Sequence, residues 1–286
     1  MLECAGRPVL RLELVKWSFL LAHETPSGGG KSFYQFVPYQ HGPFSFCLYR
    51  EVEALTRDGY VLDAHVGRRE AWQTGRDSAQ PPGVLPMGLR REISATVDRL
   101  RQTPVDRLLD DVYERYSWFT VNSAKRKLQR RPIAAPAVFT VGYSSWMVDG
   151  FLNLLLRAGV QRLLDVRRNP VSRQYGFHGS TLRRLCEKLQ IEYVPFPELG
   201  IPSQLRQNLQ APEDYKTLFA CYERDILRRE TSVLRNIAAL MTEKPSALMC
   251  TERDPSQCHR SRIAKAISEE TALSIRHLGR THEARV

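Results

Sequence analysis

From residue 137 onward, short apolar runs alternate with longer amphipathic segments, and this constrains the fold more than any other feature of the chain. Residues 138–143, 162–166, 192–196, 246–250 and 273–278 read as strands, and 147–158, 181–189, 212–241 and 259–267 as the helices between them. Strands apolar on both faces and separated by helices require helices packed on both sides, which is the arrangement of a mostly parallel sheet. The expected fold class is α/β, a mostly parallel sheet with flanking helices, preceded by a winged-helix-like domain.

The front of the chain follows another rhythm. Leu10, Leu14, Trp17, Leu20 and Leu21 recur at helical spacing over residues 9–22. Pro26 and Gly28-Gly29-Gly30 end that segment. The turn His41-Gly42-Pro43-Phe44-Ser45 starts a second helix, 46–57, which Asp58-Gly59-Tyr60 stops. Residues 60–66 alternate like a strand, 69–90 read as a flexible or wing loop, and helices are expected at 91–101 and 104–116. Helix, loop, helix, strand is the order of a winged-helix module, in which one helix enters the major groove. Ser123 is placed to cap a short basic helix beginning with Lys125, Arg126 and Lys127. The domains expected are 1–128, winged-helix-like and DNA-binding, a basic and proline-bearing linker at 129–136, and the α/β domain at 137–286.

The 286 residues carry a formal net charge of +11. The excess is spread over both halves, which favours a polyanionic partner: DNA first, with RNA as an alternative. Arg50, Arg57, Arg68, Arg69, Lys125, Arg126 and Lys127 are the candidate phosphate contacts. No apolar run has the length of a membrane span, and residues 1–7 lack the basic and apolar pattern of a signal peptide. A cytoplasmic protein with no membrane partner is expected. The six cysteines include no Cys-x-x-Cys pair and lack the density of a disulfide scaffold.

In an open parallel sheet, ligands bind beyond the carboxyl ends of the strands. The residues at those ends are Tyr143 and Ser144, then Asp165, Arg167 and Arg168, then Glu198, then Cys250. They are expected to converge on one crevice, with Asp165 as acid, base or ligand anchor and the arginines gripping an anion. The densest segment is Cys250-Thr251-Glu252-Arg253-Asp254-Pro255-Ser256-Gln257-Cys258-His259-Arg260. Cys258-His259-Arg260 opens a helix, whose free N–H groups and partial positive charge favour a thiolate or a bound anion. Cys258 is then a candidate nucleophile and Arg260 an anion clamp. Zinc on Cys250, Cys258 and His259 is disfavoured, because adjacent ligands are awkward on a helix and no fourth is evident. No metal or cofactor is expected.

These motifs resemble the domain-of-unknown-function family 488 over residues 137–280. The matching positions are Gly142-Tyr143-Ser144, Asp165-Val166-Arg167 with Pro170 and Ser172, Phe177, Glu198-Leu199-Gly200, and the Cys-x7-Cys-His-Arg loop of Cys250, Cys258, His259 and Arg260. The resemblance implies an α/β fold and no settled activity. The loop also resembles in outline the anion-binding loops of rhodaneses and cysteine phosphatases, without their Cys-x5-Arg cradle. The segment around residues 36–61 resembles the winged-helix modules found ahead of such domains and in phage antitoxin-like proteins. The expected function is DNA binding by the front module, with an α/β domain that recognises or processes a nucleotide, a modified base or a strand end. The alternatives are a ligand-sensing DNA-binding regulator or defence component, and a small-molecule thiol enzyme.

Overall fold

The computed structural model describes residues 1–30, 32–75, 85–206, 209 and 211–279. The chain divides into two units, Met1–Arg130 and Arg131–Val286.

In the first unit, a short helix α1 (Leu2–Ala5) precedes β1 (Val9–Leu10) and α2 (Arg11–Glu24). The Glu13 carboxylate accepts the Leu10 amide at 2.9 Å, which fixes the start of α2. The expected turn at 41–45 is instead the second strand of a hairpin, β2 (Val37–Tyr39) with β3 (Gly42–Phe44). Gly42, at φ +84°, makes the reversal possible, and a side chain there would strike the Tyr113 ring. Helix α3 (Phe46–Arg57) begins where the sequence places it, because Ser45 Oγ accepts the Leu48 amide at 3.2 Å. Strands β4 (Val61–Val66) and β5 (Arg69–Thr74) form a second hairpin, so the segment read as a loop from residue 69 begins as strand and, from Met87, ends as helix. Residues 76–84, with Pro81-Pro82-Gly83, lie outside the described residues. The three-stranded antiparallel sheet has the order β1-β5-β4. Helices α4 (Met87–Leu100) and α5 (Val105–Arg115) complete the unit. Trp17, Phe19, Leu20, Val97 and Val112 fill its core.

No helix follows Ser123. Its hydroxyl accepts the amides of Lys125 and Arg126 in a local turn, and the chain then runs irregularly. Lys125 pairs with Asp106, and Arg126 faces Asp110 and Glu114 on α5. The run of bases that suggested a helix is thus drawn to an acidic helix face beside it.

The second unit is α/β. Strands β6 (Val138–Gly142), β7 (Arg162–Asp165), β8 (Glu192–Pro195), β9 (Ser246–Cys250) and β10 (Ile275–His277) form one parallel sheet in the order β10-β6-β9-β7-β8. The expected parallel sheet with flanking helices is what the chain forms. The connections carry α6 (Val148–Arg157), α7 (Gly179–Lys188), α8 (Pro212–Tyr222), α9 (Thr231–Glu243) and α10 (Arg260–Thr271). One face of the sheet offers Val138, Leu164, Leu248 and Cys250 to Ile237, Met241, Ile263 and Ile267 of α9 and α10. The other face holds the ring stack of Tyr143 on Phe177, with Phe151 of α6 packed edge-on against Phe177. Among the described residues, no helix is long and apolar enough to cross a membrane.

Candidate functional site

The carboxyl ends of β6, β7 and β9 lie side by side, yet their side chains do not share one crevice. Asp165 is in register with Met249, and Cys250 with Gly142. Because successive side chains alternate across a strand, Asp165 projects from one face and Cys250 from the other. The expected single crevice is therefore two separate clusters.

On the first face, Asp165 and Arg167 form a buried ion pair. The Arg167 Nη2 donates to Asp165 Oδ2 at 2.6 Å and Nε to Oδ1 at 2.8 Å. Tyr193 donates its hydroxyl to Asp165 Oδ2 at 2.6 Å, and the Arg167 amide reaches Oδ1 at 3.1 Å. Arg167 also donates to the Phe177 carbonyl and to Tyr143 Oη. Burial disfavours the guanidinium charge, but the hydrogen bonds and charge of Asp165 outweigh it and raise its pKa. The Tyr193 phenol is pushed up by burial and by the same carboxylate. Arg167 is thus engaged by the protein and is not an open anion clamp.

On the second face, three donors meet. Cys250 ends β9, and Cys258 and His259 precede α10. Cys250 Sγ lies 3.7 Å and Cys258 Sγ 4.0 Å from His259 Nδ1. His259 Nε2 is 2.9 Å from the Val166 carbonyl, so it carries the proton and Nδ1 presents its lone pair to the sulfurs. The objection to adjacent ligands fails here, because Cys258 sits on extended backbone (φ −134°, ψ 136°) before the helix. All three candidate metal-ligating atoms lie within 4.8 Å of one another.

The loop that makes this meeting possible is tightly held. Its carbonyl at Glu252 passes so close to β6 that a Cβ at Gly142 would lie 1.8 Å from the oxygen. The Ser144 amide donates to the Thr251 carbonyl at 3.0 Å. Asp254 caps the 3-10 turn Pro255–Gln257. Arg260, itself buried, donates to the carbonyls of Glu252 and Arg253. Arg260 therefore braces the loop from within and does not serve as the expected anion clamp.

The order of thiol acidity is the reverse of the expectation. Cys258 is buried, and burial followed by the neighbouring Cys250 pushes its thiol up. The neighbouring Cys258 thiol favours the Cys250 thiolate. That influence, with the charges of Arg206 and Arg260 and the Thr251 amide, outweighs burial and brings the Cys250 thiol down to about 7.

Cys250, Cys258 and His259 line a cavity of about 450 Å³ with Arg206, Glu252, Gln257, Tyr215 and Phe219. Arg206 was not singled out by the sequence, because it lies in the loop after β8, beyond the strand end. Among the described residues its buried Nε has no hydrogen-bond partner. The other predicted residues stand outside this cavity. Ser144 and Glu198 are exposed, Ser172 Oγ accepts the Gln174 amide, and Arg168 donates to the Pro197 carbonyl at 3.3 Å. In the first unit, Arg50, Arg57, Arg68, Arg69 and Lys127 are exposed.

The fold and site define an α/β domain with a thiol–imidazole cluster in a cavity at the carboxyl edge of a parallel sheet. Within it, residues 147–267 match the model of the family described as Domain of unknown function DUF488. That stretch runs from α6 into α10 and contains Asp165, Arg167, Cys250, Cys258, His259 and Arg260, but not β6, β10 or any of the first unit. No curated protein and no solved structure matches the chain.

Proposed function

We propose that this is a nucleic-acid-associated protein whose first unit is a winged-helix DNA-binding module and whose second unit recognises or processes a nucleotide, modified base or strand end. The observation that carries the reading is the order of elements in the first unit. Helix, strand, helix, helix and two hairpin strands, with the first strand beside the last (β1-β5-β4), is an order compatible with a winged helix and supports that reading. In it α3 is the helix for the major groove, and the β4–β5 hairpin is the wing. Arg68 and Arg69 stand exposed at the tip of that hairpin, where a wing meets the phosphate backbone. Arg50 and Arg57 lie exposed on α3, beside Glu51 and Glu53. With acids and bases balanced on α3, the wing and the overall charge of +11 carry the attraction to DNA. The hairpin β2–β3 between α2 and α3 is an elaboration of the module. For the second unit, support comes from the cavity at Cys250, where Arg206 offers a cation and two aromatic rings offer stacking surfaces.

The test is fluorescence anisotropy of the full chain on labelled duplex DNA at several salt concentrations. Affinity falls steeply with salt, and the Arg68→Ala, Arg69→Ala double variant lowers the log–log slope by about 2. Absence of duplex binding in about 50 mM salt, or a slope unmoved by the double variant, overturns the reading.

A further inference from the structure

We infer that Cys250, Cys258 and His259 form a mononuclear zinc site whose fourth position opens into the cavity lined by Arg206, Glu252 and Gln257. This stands on the second unit alone and does not depend on DNA binding. Tetrahedral zinc with Zn–S of about 2.3 Å and Zn–N of about 2.0 Å holds sulfur and nitrogen about 3.5 Å apart. The observed 3.7 and 4.0 Å exceed that by about 0.2 and 0.5 Å, and with all three atoms within 4.8 Å of one another a small inward shift of the side chains closes the set on one ion. The imidazole is already in the ligating tautomer, with Nδ1 aimed at both sulfurs and Nε2–H tied to the Val166 carbonyl. A second nitrogen bound to a backbone carbonyl is the usual orienting contact of a metal-bound histidine.

Two thiolates and an imidazole are a soft donor set that favours zinc over magnesium or calcium. The cluster is buried, yet one side faces the cavity and not packed side chains. Three protein ligands with an open fourth position are the composition of a reactive zinc site, whereas a structural site closes with four. Arg206 lines the same cavity with its Nε unpartnered among the described residues, so the ligand drawn to the fourth position is an anion or a polar oxygen.

The experiment uses the full chain, reduced and stripped with a chelator, then titrated with cobalt(II) and back-titrated with zinc. One cobalt per chain binds, giving the intense visible bands of a tetrahedral ion and a thiolate-to-cobalt charge-transfer band, and zinc displaces both. Cys250→Ser, Cys258→Ser and His259→Ala each weaken binding by more than about 100-fold, beyond the usual cost of an outer-shell change. Cys186→Ser, at a buried thiol elsewhere in the unit, leaves binding unchanged. Azide added to the cobalt protein shifts the visible bands by entering the open position. Where a variant fails to fold, the wild-type spectrum decides: an octahedral spectrum without charge transfer, or no stoichiometric uptake by folded protein, overturns the site. Visible bands unmoved by azide overturn the open position. A Cys250–Cys258 disulfide as purified, with no uptake after reduction, overturns the proposal in favour of a redox pair.

Discussion

Two buried polar clusters lie at the carboxyl end of one sheet, on opposite faces, and differ in how fully their groups are already met by the protein. Around Asp165, both carboxylate oxygens and much of the Arg167 guanidinium are met by protein groups. Around Cys250, two sulfurs and an imidazole lone pair face one another and a cavity. A charge fully met by its own protein has no free capacity for a ligand, and its removal leaves an uncompensated partner in low dielectric. Donors with unfilled capacity beside open volume are placed for exchange with something outside. Polarity at a strand end therefore does not by itself mark a site; the number of bonds already made does.

This contrast predicts different responses to substitution. The largest effect is expected at Asp165→Ala, which strands the buried Arg167 and costs about 3–5 kcal/mol in chemical denaturation. Native-like stability in that variant would remove the distinction between the clusters. Lys16 tests an intermediate case, a buried ammonium whose Nζ donates to the Pro43 carbonyl at 2.6 Å. Burial lowers its pKa from 10.5 to about 7. Between those values the unfolded chain holds a proton that the folded chain does not, so stability rises as pH climbs from about 7 towards 10. The gain is on the order of 3 kcal/mol, and below about pH 7 this group adds no further dependence. Thermal melts across this range, in wild type and Lys16→Met, should diverge in slope; parallel curves would show that one carbonyl suffices to hold the charge.

Smaller effects sharpen the comparison. Cys186→Ser buries a hydroxyl in apolar surroundings and costs about 1–3 kcal/mol. Cys250→Ser in metal-free protein, facing the cavity, costs no more than about 1 kcal/mol. The reverse ranking in urea denaturation would mean that the thiol cluster is packed core. Glu198→Gln, at an exposed strand-end carboxylate, should change stability by less than about 0.5 kcal/mol. A larger loss would bring that residue back into consideration.

What was legible in the sequence was local. The strand at 246–250 and the helix at 46–57 were readable because apolar periodicity and the Ser45 cap act within a few residues. The three donors of the Cys250–His259 loop were visible as a motif. Their convergence was not, since it depends on the extended backbone at Cys258. The separation of Asp165 from Cys250 follows from register between β7 and β9, a long-range pairing that no local pattern encodes. The β2–β3 hairpin was hidden because Gly42-Pro43 looks like a simple break, and Arg206 because its importance arises only from the cavity it lines.

The position of β9 has a consequence for biosynthesis. It is the middle strand of the five, yet nearly the last to leave the ribosome. Until residues 246–250 emerge, β6 and β7 each lack the neighbour that will lie between them, and their apolar edges stay open. Exposed edges of this kind are templates for association with other chains. Nascent chains stalled before residue 246 should therefore aggregate more readily than chains that already include β9.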